Sequence, residues 1–254
     1  NTYFAFGLNS LIDTINNNRK IIKIFITKER YDDLIKKIPK KIPIEIKEKS
    51  KIDKMNMHKF NTQGICAILE KEKKITLKEY LSNHKSKFST LVMLNNISDQ
   101  RNIGSIIRVA TALNSEAVII NKKYYNETNS LMIKASSGTL NSIQIIEVGN
   151  DHNSIQLLKD HNFWIYALDG QAKQDVKKVK WAEKSVIVVG SEGDGIQKII
   201  KDASDEVIKI NISKNVESLN VTSALSICLF QKKTAQEYTL AILNNLQTKI
   251  VLLF

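Results

Sequence analysis

Apolar and polar residues recur along this 254-residue chain with two periods, and the switches between them predict an α/β protein. Leu8 to Asn18 reads as a short helix closed by three asparagines, and Ile21 to Thr27 as a β-branched strand. Glu29 to Ile38 is an amphipathic helix stopped by Pro39. Ile42-Pro43-Ile44-Glu45-Ile46 alternates as a second strand and Gly64 to Leu69 supplies a third. These make a small α/β unit over residues 1–72. Between Lys71 and Lys87 the apolar positions thin and lysines cluster, which marks a linker at 73–88; the solvated face of a helix has the same composition.

A second α/β pattern starts at Leu91. Strand runs stand at Leu91 to Leu94, Ala117 to Ile120, Ile143 to Val148, Phe163 to Leu168, Ser185 to Val189 and Glu206 to Ile210. Helices fall at Ile103 to Leu113 and from about Val221 to Lys232. Nearly continuous apolar strands alternating with helices predict a mainly parallel sheet covered on both faces, in a domain spanning 89–233. The remaining 234–254 end in Ile250-Val251-Leu252-Leu253-Phe254, expected to pack on the body or a partner rather than hang free. No internal repeat is present, and no role follows for this tail.

Composition changes the picture in one respect. The formal net charge is +12, which favours a polyanionic partner because each neutralised phosphate releases a counterion. A lysine-rich bias of the source genome would produce the same number. Cys66 and Cys228 lie far apart inside apolar runs and read as core, and the four histidines are scattered, so a zinc site is not expected. No signal peptide pattern opens the chain and no apolar run approaches the ~20 residues of a membrane span, so a reducing, cytoplasmic setting is expected.

Three segments carry candidate chemistry. Val188-Val189-Gly190-Ser191-Glu192-Gly193-Asp194-Gly195-Ile196 follows a buried strand directly, where parallel sheets bind small molecules and glycine allows close backbone approach. It lacks the GK[ST] of a Walker loop, and its two acids would repel the pyrophosphate of a dinucleotide. A plain tight turn would use the same residues. Asn95 to Arg108 runs from a strand end through a polar loop into a helix. Asn102 there can cap the helix or meet a ligand, and Arg108 stands among Ile, Val and Ala. Such an arginine has an anionic partner or reaches along the helix to the surface. In Glu217-Ser218-Leu219-Asn220-Val221, Ser218 or Asn220 can cap the following helix.

Taken together, N-I-G-S-I-I-R, V-V-G-S-E-G-D-G-I and N-V-E-S-L-N-V resemble, in order and spacing, the signature motifs of the SPOUT superfamily. More narrowly, they resemble the TrmH-like RNA 2′-O-ribose methyltransferases, over Leu91 to about Lys232. Phe6-Gly7-Leu8, Pro43-Ile44-Glu45-Ile46 and Asn61-Thr62-Gln63-Gly64-Ile65 are similar, less closely, to the small RNA-binding domain of the 23S rRNA guanosine methyltransferase subgroup, which resembles certain ribosomal proteins. The resemblance implies a parallel sheet threaded into a trefoil knot, a homodimer through the catalytic domain, RNA as substrate and S-adenosylmethionine as methyl donor. It implies Arg108, Asn102, Glu192, Ser218 and Asn220 as catalytic residues, and Gly190, Gly195, Ile210, Leu219 and Leu168 around the cofactor. The target it suggests is a ribose 2′-hydroxyl in 23S rRNA. A tRNA ribose, or a non-catalytic RNA-binding role in ribosome assembly, are the alternatives. Three positions depart from the pattern: Gln100 and Arg101 follow Asp99 where Asp-Pro is common, Asn114 stands for the glycine that closes the helix, and Thr62 replaces a histidine.

Overall fold

The computed structural model describes residues 2–16, 18–56, 61–70 and 74–251, with side chains as far as 241. Asn1, the boundary drawn at residues 72 and 73, and Leu252 to Phe254 of the apolar terminus lie outside the described residues.

The first unit contains β1 (Thr2–Phe6), α1 (Leu8–Asn16), β2 (Ile21–Ile26), α2 (Lys28–Leu34), β3 (Ile44–Ile46), α3 (Lys49–Lys54) and β4 (Ile65–Glu70). Its sheet has the order β1-β4-β2-β3. Strand β4 pairs antiparallel with β1 and β2, while β3 runs parallel to β2. One face buries Ile24, Ile26, Ile65, Ala67 and Leu69 against Leu11 of α1 and Leu34 of α2. On the other, Phe25 and Cys66 pack on Ile52 of α3. The sequence pattern missed β1 and α3: β1 is a short edge strand with Phe4 turned outward, and α3 has Ile52 as its one buried residue.

The stretch read as a linker carries α4 (Leu77–Asn83), opened by a Thr76/Glu79 capping box. Its buried Leu77 and Leu81 join the core of the second unit. Two apolar positions among lysines are too sparse a stripe to announce a helix.

The second unit continues with β5 (Ser89–Asn95), α5 (Gln100–Ala112), β6 (Ala117–Asn121), α6 (Ser130–Ser136), β7 (Gln144–Val148), α7 (Asp151–Asp160), β8 (Trp164–Leu168), β9 (Gln174–Asp175), β10 (Lys184–Gly190), α8 (Lys198–Ala203), β11 (Glu206–Lys209) and α9 (Val221–Val251). Its seven strands are ordered β7-β6-β5-β10-β8-β11-β9, every pair parallel. Alternate residues of β5 serve opposite cores. Val92 and Leu94 meet α5 and α9, whereas Leu91 and Met93 meet α4 and α7. The expected parallel sheet covered on both faces is therefore what the chain builds.

Helix α9 departs from expectation. Predicted to end near Lys232, it runs to Val251, since no glycine or proline follows to stop it. Lys232 is buried, and its Nζ donates to the Ala182 carbonyl at 2.6 Å. Burial pushes its ammonium down to about 8. No helix among the described residues is long and apolar enough to cross a membrane.

Candidate active site

The carboxyl ends of β5, β10, β8 and β11 lie side by side in the middle of the sheet, the place where open parallel sheets bind ligands. The three motifs leave from these ends. Gly190 is opposite Asn95 in the ladder, so the first two motifs start from paired positions.

From Gly190 the chain folds back at once. Ser191 and Gly195 form an antiparallel bridge, with the Gly195 amide donating to the Ser191 carbonyl at 3.0 Å. A side chain at Gly190 would collide with the Gly195 backbone, so the return requires glycine. Gly195 takes φ 65°, a left-handed conformation that glycine adopts without strain. The base of this loop is held from below. Asn95, fully buried, receives the Gln197 amide on its Oδ1 at 2.9 Å. Its Nδ2 donates to Asp151 at 2.8 Å and to Gln197 Oε1 at 3.1 Å. The tip, Glu192-Gly193-Asp194, is exposed.

Glu192 gathers the other two motifs. Its Oε1 accepts from Asn220 Nδ2 at 2.6 Å and from Asn102 Nδ2 at 3.2 Å, and Asn220 Nδ2 also lies 3.4 Å from Asn102 Oδ1. These residues are 118 positions apart at the extremes, and the fold brings them into one polar cluster. Asn220 does two jobs there. Its Oδ1 accepts from the Thr222 and Ser223 amides at 2.9 and 3.4 Å, capping α9, while its amide group faces Glu192. Asn102 is no cap: Asp99 takes that role, accepting from the Arg101 amide at 2.7 Å.

Two candidates stand outside this cluster. Ser218 lies in the exposed crossover between β11 and α9. Arg108, six residues beyond Asn102 on α5, is turned ~120° from it around the helix. Its exposed guanidinium meets a hydroxyl rather than an anion: Nη1 donates to Ser137 Oγ at 3.1 Å. Sequence reasoning passed over Ser137, where Ser136-Ser137-Gly138 ends α6; the signal available was that Ser-Gly step, which reads as a helix stop.

The residues expected around a cofactor surround the same strand ends. Leu168 and Ile210, half-buried, pack on the core at the ends of β8 and β11, and Leu219 is half-buried beside Asn220. Gly193 and Gly195 border open space where a side chain would begin. The arrangement offers apolar walls, accessible loop backbone and two carboxylates. It suits a small ligand with a flat apolar part and positive charge better than a phosphorylated one. Among the described residues no group of His, Cys, Asp and Glu could hold a metal.

The departures from the motif pattern are accommodated locally. Gln100 opens α5 and donates to the Tyr124 carbonyl at 2.8 Å. Asn114 ends the helix at φ 61°, as the glycine reading required. Thr62 is buried, bonds to Asp53 and accepts from the Gly64 amide at 3.3 Å, so it is a turn residue of the small domain.

Comparison with known proteins agrees with this geometry. The family described as SpoU rRNA methylase matches residues 89–230, and an RNA 2′-O ribose methyltransferase substrate-binding family matches 4–74. The chain is 31% identical over 217 residues to a TrmH-family protein of Staphylococcus epidermidis, covering 84% of this chain and 86% of that one. It is 28% identical to the 23S rRNA (guanosine-2′-O-)-methyltransferase RlmB of Vibrio vulnificus, covering 90% and 95%. The SpoU methyltransferase AviRb of Streptomyces viridochromogenes, solved with AdoMet, superposes with a TM-score of 0.76 at 14% identity, over 92% of this chain and 90% of that one.

Proposed function

The chain belongs to the SpoU rRNA methylase family, and from that premise we propose that it methylates a ribose 2′-hydroxyl of RNA with S-adenosylmethionine as donor, its target in 23S rRNA. The observation that carries the reading is the Asn102–Glu192–Asn220 cluster, in which the three motifs meet at the carboxyl ends of a parallel sheet. The donor fits the residues present. Leu168, Ile210 and Leu219 would take its apolar parts, the loop backbone at Gly190 and Gly195 would lie against it, and Glu192 and Asp194 suit its positive charge. When bound, it supplies a methyl group already activated on a sulfonium, for attack by the ribose 2′-oxygen.

The protein's work is then alignment and help for a weakly acidic hydroxyl. With an intrinsic pKa above ~12, an arginine is a poor base. Arg108 instead orients the ribose and its phosphate and stabilises negative charge developing on the 2′-oxygen. Asn102 and Asn220 hold Glu192 in place, and Ser218, exposed two residues before Asn220, completes the polar rim. Residues 1–72, resembling a ribosomal protein domain, present the RNA, which the substrate-binding family match over 4–74 supports; the RlmB relative favours rRNA as the target.

Three further parts belong to this reading. The catalytic domain is knotted in this reading, which is supported by the crossovers after β10 and β11 both returning beside the end of β5, at Asn95 and Asn102. The protein works as a homodimer, for which the exposed Ile227 and Phe230 of α9 and Ile212 and Val216 of the crossover offer an apolar surface. It acts in the cytoplasm, in keeping with the free thiols of Cys66 and Cys228.

The test is methyl transfer from labelled S-adenosylmethionine to undermethylated total RNA, comparing the intact protein with Arg108→Ala. Label on a ribose 2′-oxygen of 23S rRNA, with a loss of ~10²-fold or more in the variant, is the expected result. Near-normal turnover by Arg108→Ala would remove that residue from the site. No transfer and no cofactor binding by calorimetry would make this a non-catalytic RNA-binding protein of the same fold.

A further inference from the structure

We propose that Ser137 is the positioning residue of Arg108: its hydroxyl fixes the direction in which the guanidinium faces the substrate. The inference rests on the methyltransferase reading above and adds to it a residue outside the three motifs.

The first ground is conformational. Ser137 closes α6 at φ 51°, ψ 38°, in the left-handed region, and Gly138 comes next at φ 93°. Serine is an uncommon occupant of that region, where glycine sits without strain and asparagine with little. Backbone needs alone would favour glycine at 137. What serine adds is the hydroxyl, and that hydroxyl accepts the hydrogen bond from Arg108 Nη1 at 3.1 Å.

The second ground is that both partners sit on frames fixed against each other. Helices α5 and α6 cross at Gly104, one turn before Arg108, where an added Cβ would run into the Met132 backbone and lie 2.9 Å from Ala135. Ala135 is two residues before Ser137. The close crossing therefore sets the spacing between arginine and serine. Beyond Ser137 the chain is tied down again. Thr139 Oγ1 donates to the Ser136 carbonyl at 2.7 Å. The small domain anchors the next turn: Tyr3 donates to Asn141 Oδ1 and Arg19 to its carbonyl, both at 3.0 Å, and Ser142 bonds to Asp13. Ser137 thus has little freedom to follow a wandering side chain, whereas an exposed arginine has many rotamers. The bond confines the mobile partner to the rigid one, as a preorganised charge requires.

The experiment uses the full-length protein with S-adenosylmethionine and undermethylated RNA, in wild type, Ser137→Gly and Ser137→Ala. It measures kcat, KM for RNA, cofactor affinity by calorimetry and Tm. In Ser137→Gly, kcat should fall ~5- to 10-fold, the scale of one ordinary solvent-exposed hydrogen bond. KM for RNA and cofactor affinity should stay as in wild type. Tm should rise by ~2 °C, because the left-handed strain is relieved. Ser137→Ala should lose the same activity without the gain in Tm. A residue of structural importance only would lower activity and Tm together, and that outcome overturns the proposal, as does wild-type kcat in both variants. Absence of transfer by the wild-type protein would sink the methyltransferase reading itself, and is read from a separate sample.

Discussion

The close crossing of α5 and α6 turns on Gly104, and replacing it with alanine puts two effects of opposite sign in competition. Glycine inside a helix costs ~1 kcal/mol relative to alanine, so propensity alone predicts that Gly104→Ala stabilises α5. Packing opposes this. The new Cβ would overlap the Met132 carbonyl oxygen and stand 2.9 Å from the Ala135 Cβ and 3.0 Å from the Met132 carbonyl carbon. Carbon atoms rest at ~3.5–4.0 Å, so α6 must retreat by roughly 1 Å. The obstacle is backbone, and Met132 is fully buried in the core under β5 and β6, so no flexible side chain can give way. Overpacking of this kind costs ~1–3 kcal/mol, and a collision with backbone belongs at the upper end. The net expectation is a loss of ~1–2 kcal/mol, or ~2–8 °C in Tm for a chain of this length. Because α6 carries Ser137, methyl transfer should fall further than the fraction unfolded explains. Thermal melts followed by circular dichroism, with kcat measured well below the transition, test both statements. A variant melting at or above the wild-type temperature would refute the packing argument.

Other perturbations probe separate parts of the structure. Lys232 has its ammonium lowered to about 8 by burial, so between pH ~8 and ~10.5 the unfolded chain binds a proton that the folded one does not. The penalty is complete below pH 8 and fades as pH rises to ~10.5. Lys232→Met should therefore stabilise by ~1–2 kcal/mol at pH 7, after allowing for the unpaired Ala182 carbonyl, and by little at pH 10.5. Urea denaturation at the two pH values reads this, and an equal effect at both would refute it. Asn95→Ala removes the donor to buried Asp151 and the acceptor for the Gln197 amide, and should cost ~2–4 kcal/mol with weakened cofactor binding. Wild-type stability and affinity would show that the loop base is held by something else. Phe230→Glu puts a charge on the exposed face of α9 and should shift the protein to monomer by light scattering, where an unchanged mass would argue against dimerisation through this face.

How much of the fold was legible in the sequence depends on where each signal is stored. The strands of the large sheet declared themselves because burial on both faces makes them continuously apolar, as in Leu91-Val92-Met93-Leu94. The elements that escaped, β1, α3, α4, α6, α7, α8 and β9, are short and bury few apolar side chains each; α4 holds its place with Leu77 and Leu81, and α7 with Ile155 and Leu158. Helix α9 outruns its predicted end because its thinning apolar stripe imitates a stop, although no stop residue comes after Lys232. Site residues divide in the same way. Asn102, Glu192 and Asn220 stand in motifs whose glycines and caps are visible locally, and the fold needed only to bring them together. Ser137 has no such flag. Its importance comes from a contact across two helices, set by the absence of a side chain at Gly104, 33 positions earlier. A close helix crossing is recorded in sequence as a lone glycine in an apolar run, which says that something approaches and not what. The partner of Arg108 could be found only once α5 and α6 were placed against each other. Of the two readings open for Arg108, an anionic partner or a reach to the surface, the second is what the fold shows: it is exposed and held by a serine hydroxyl, and no acid stands on its own helix, which leaves its charge available to a polyanionic substrate.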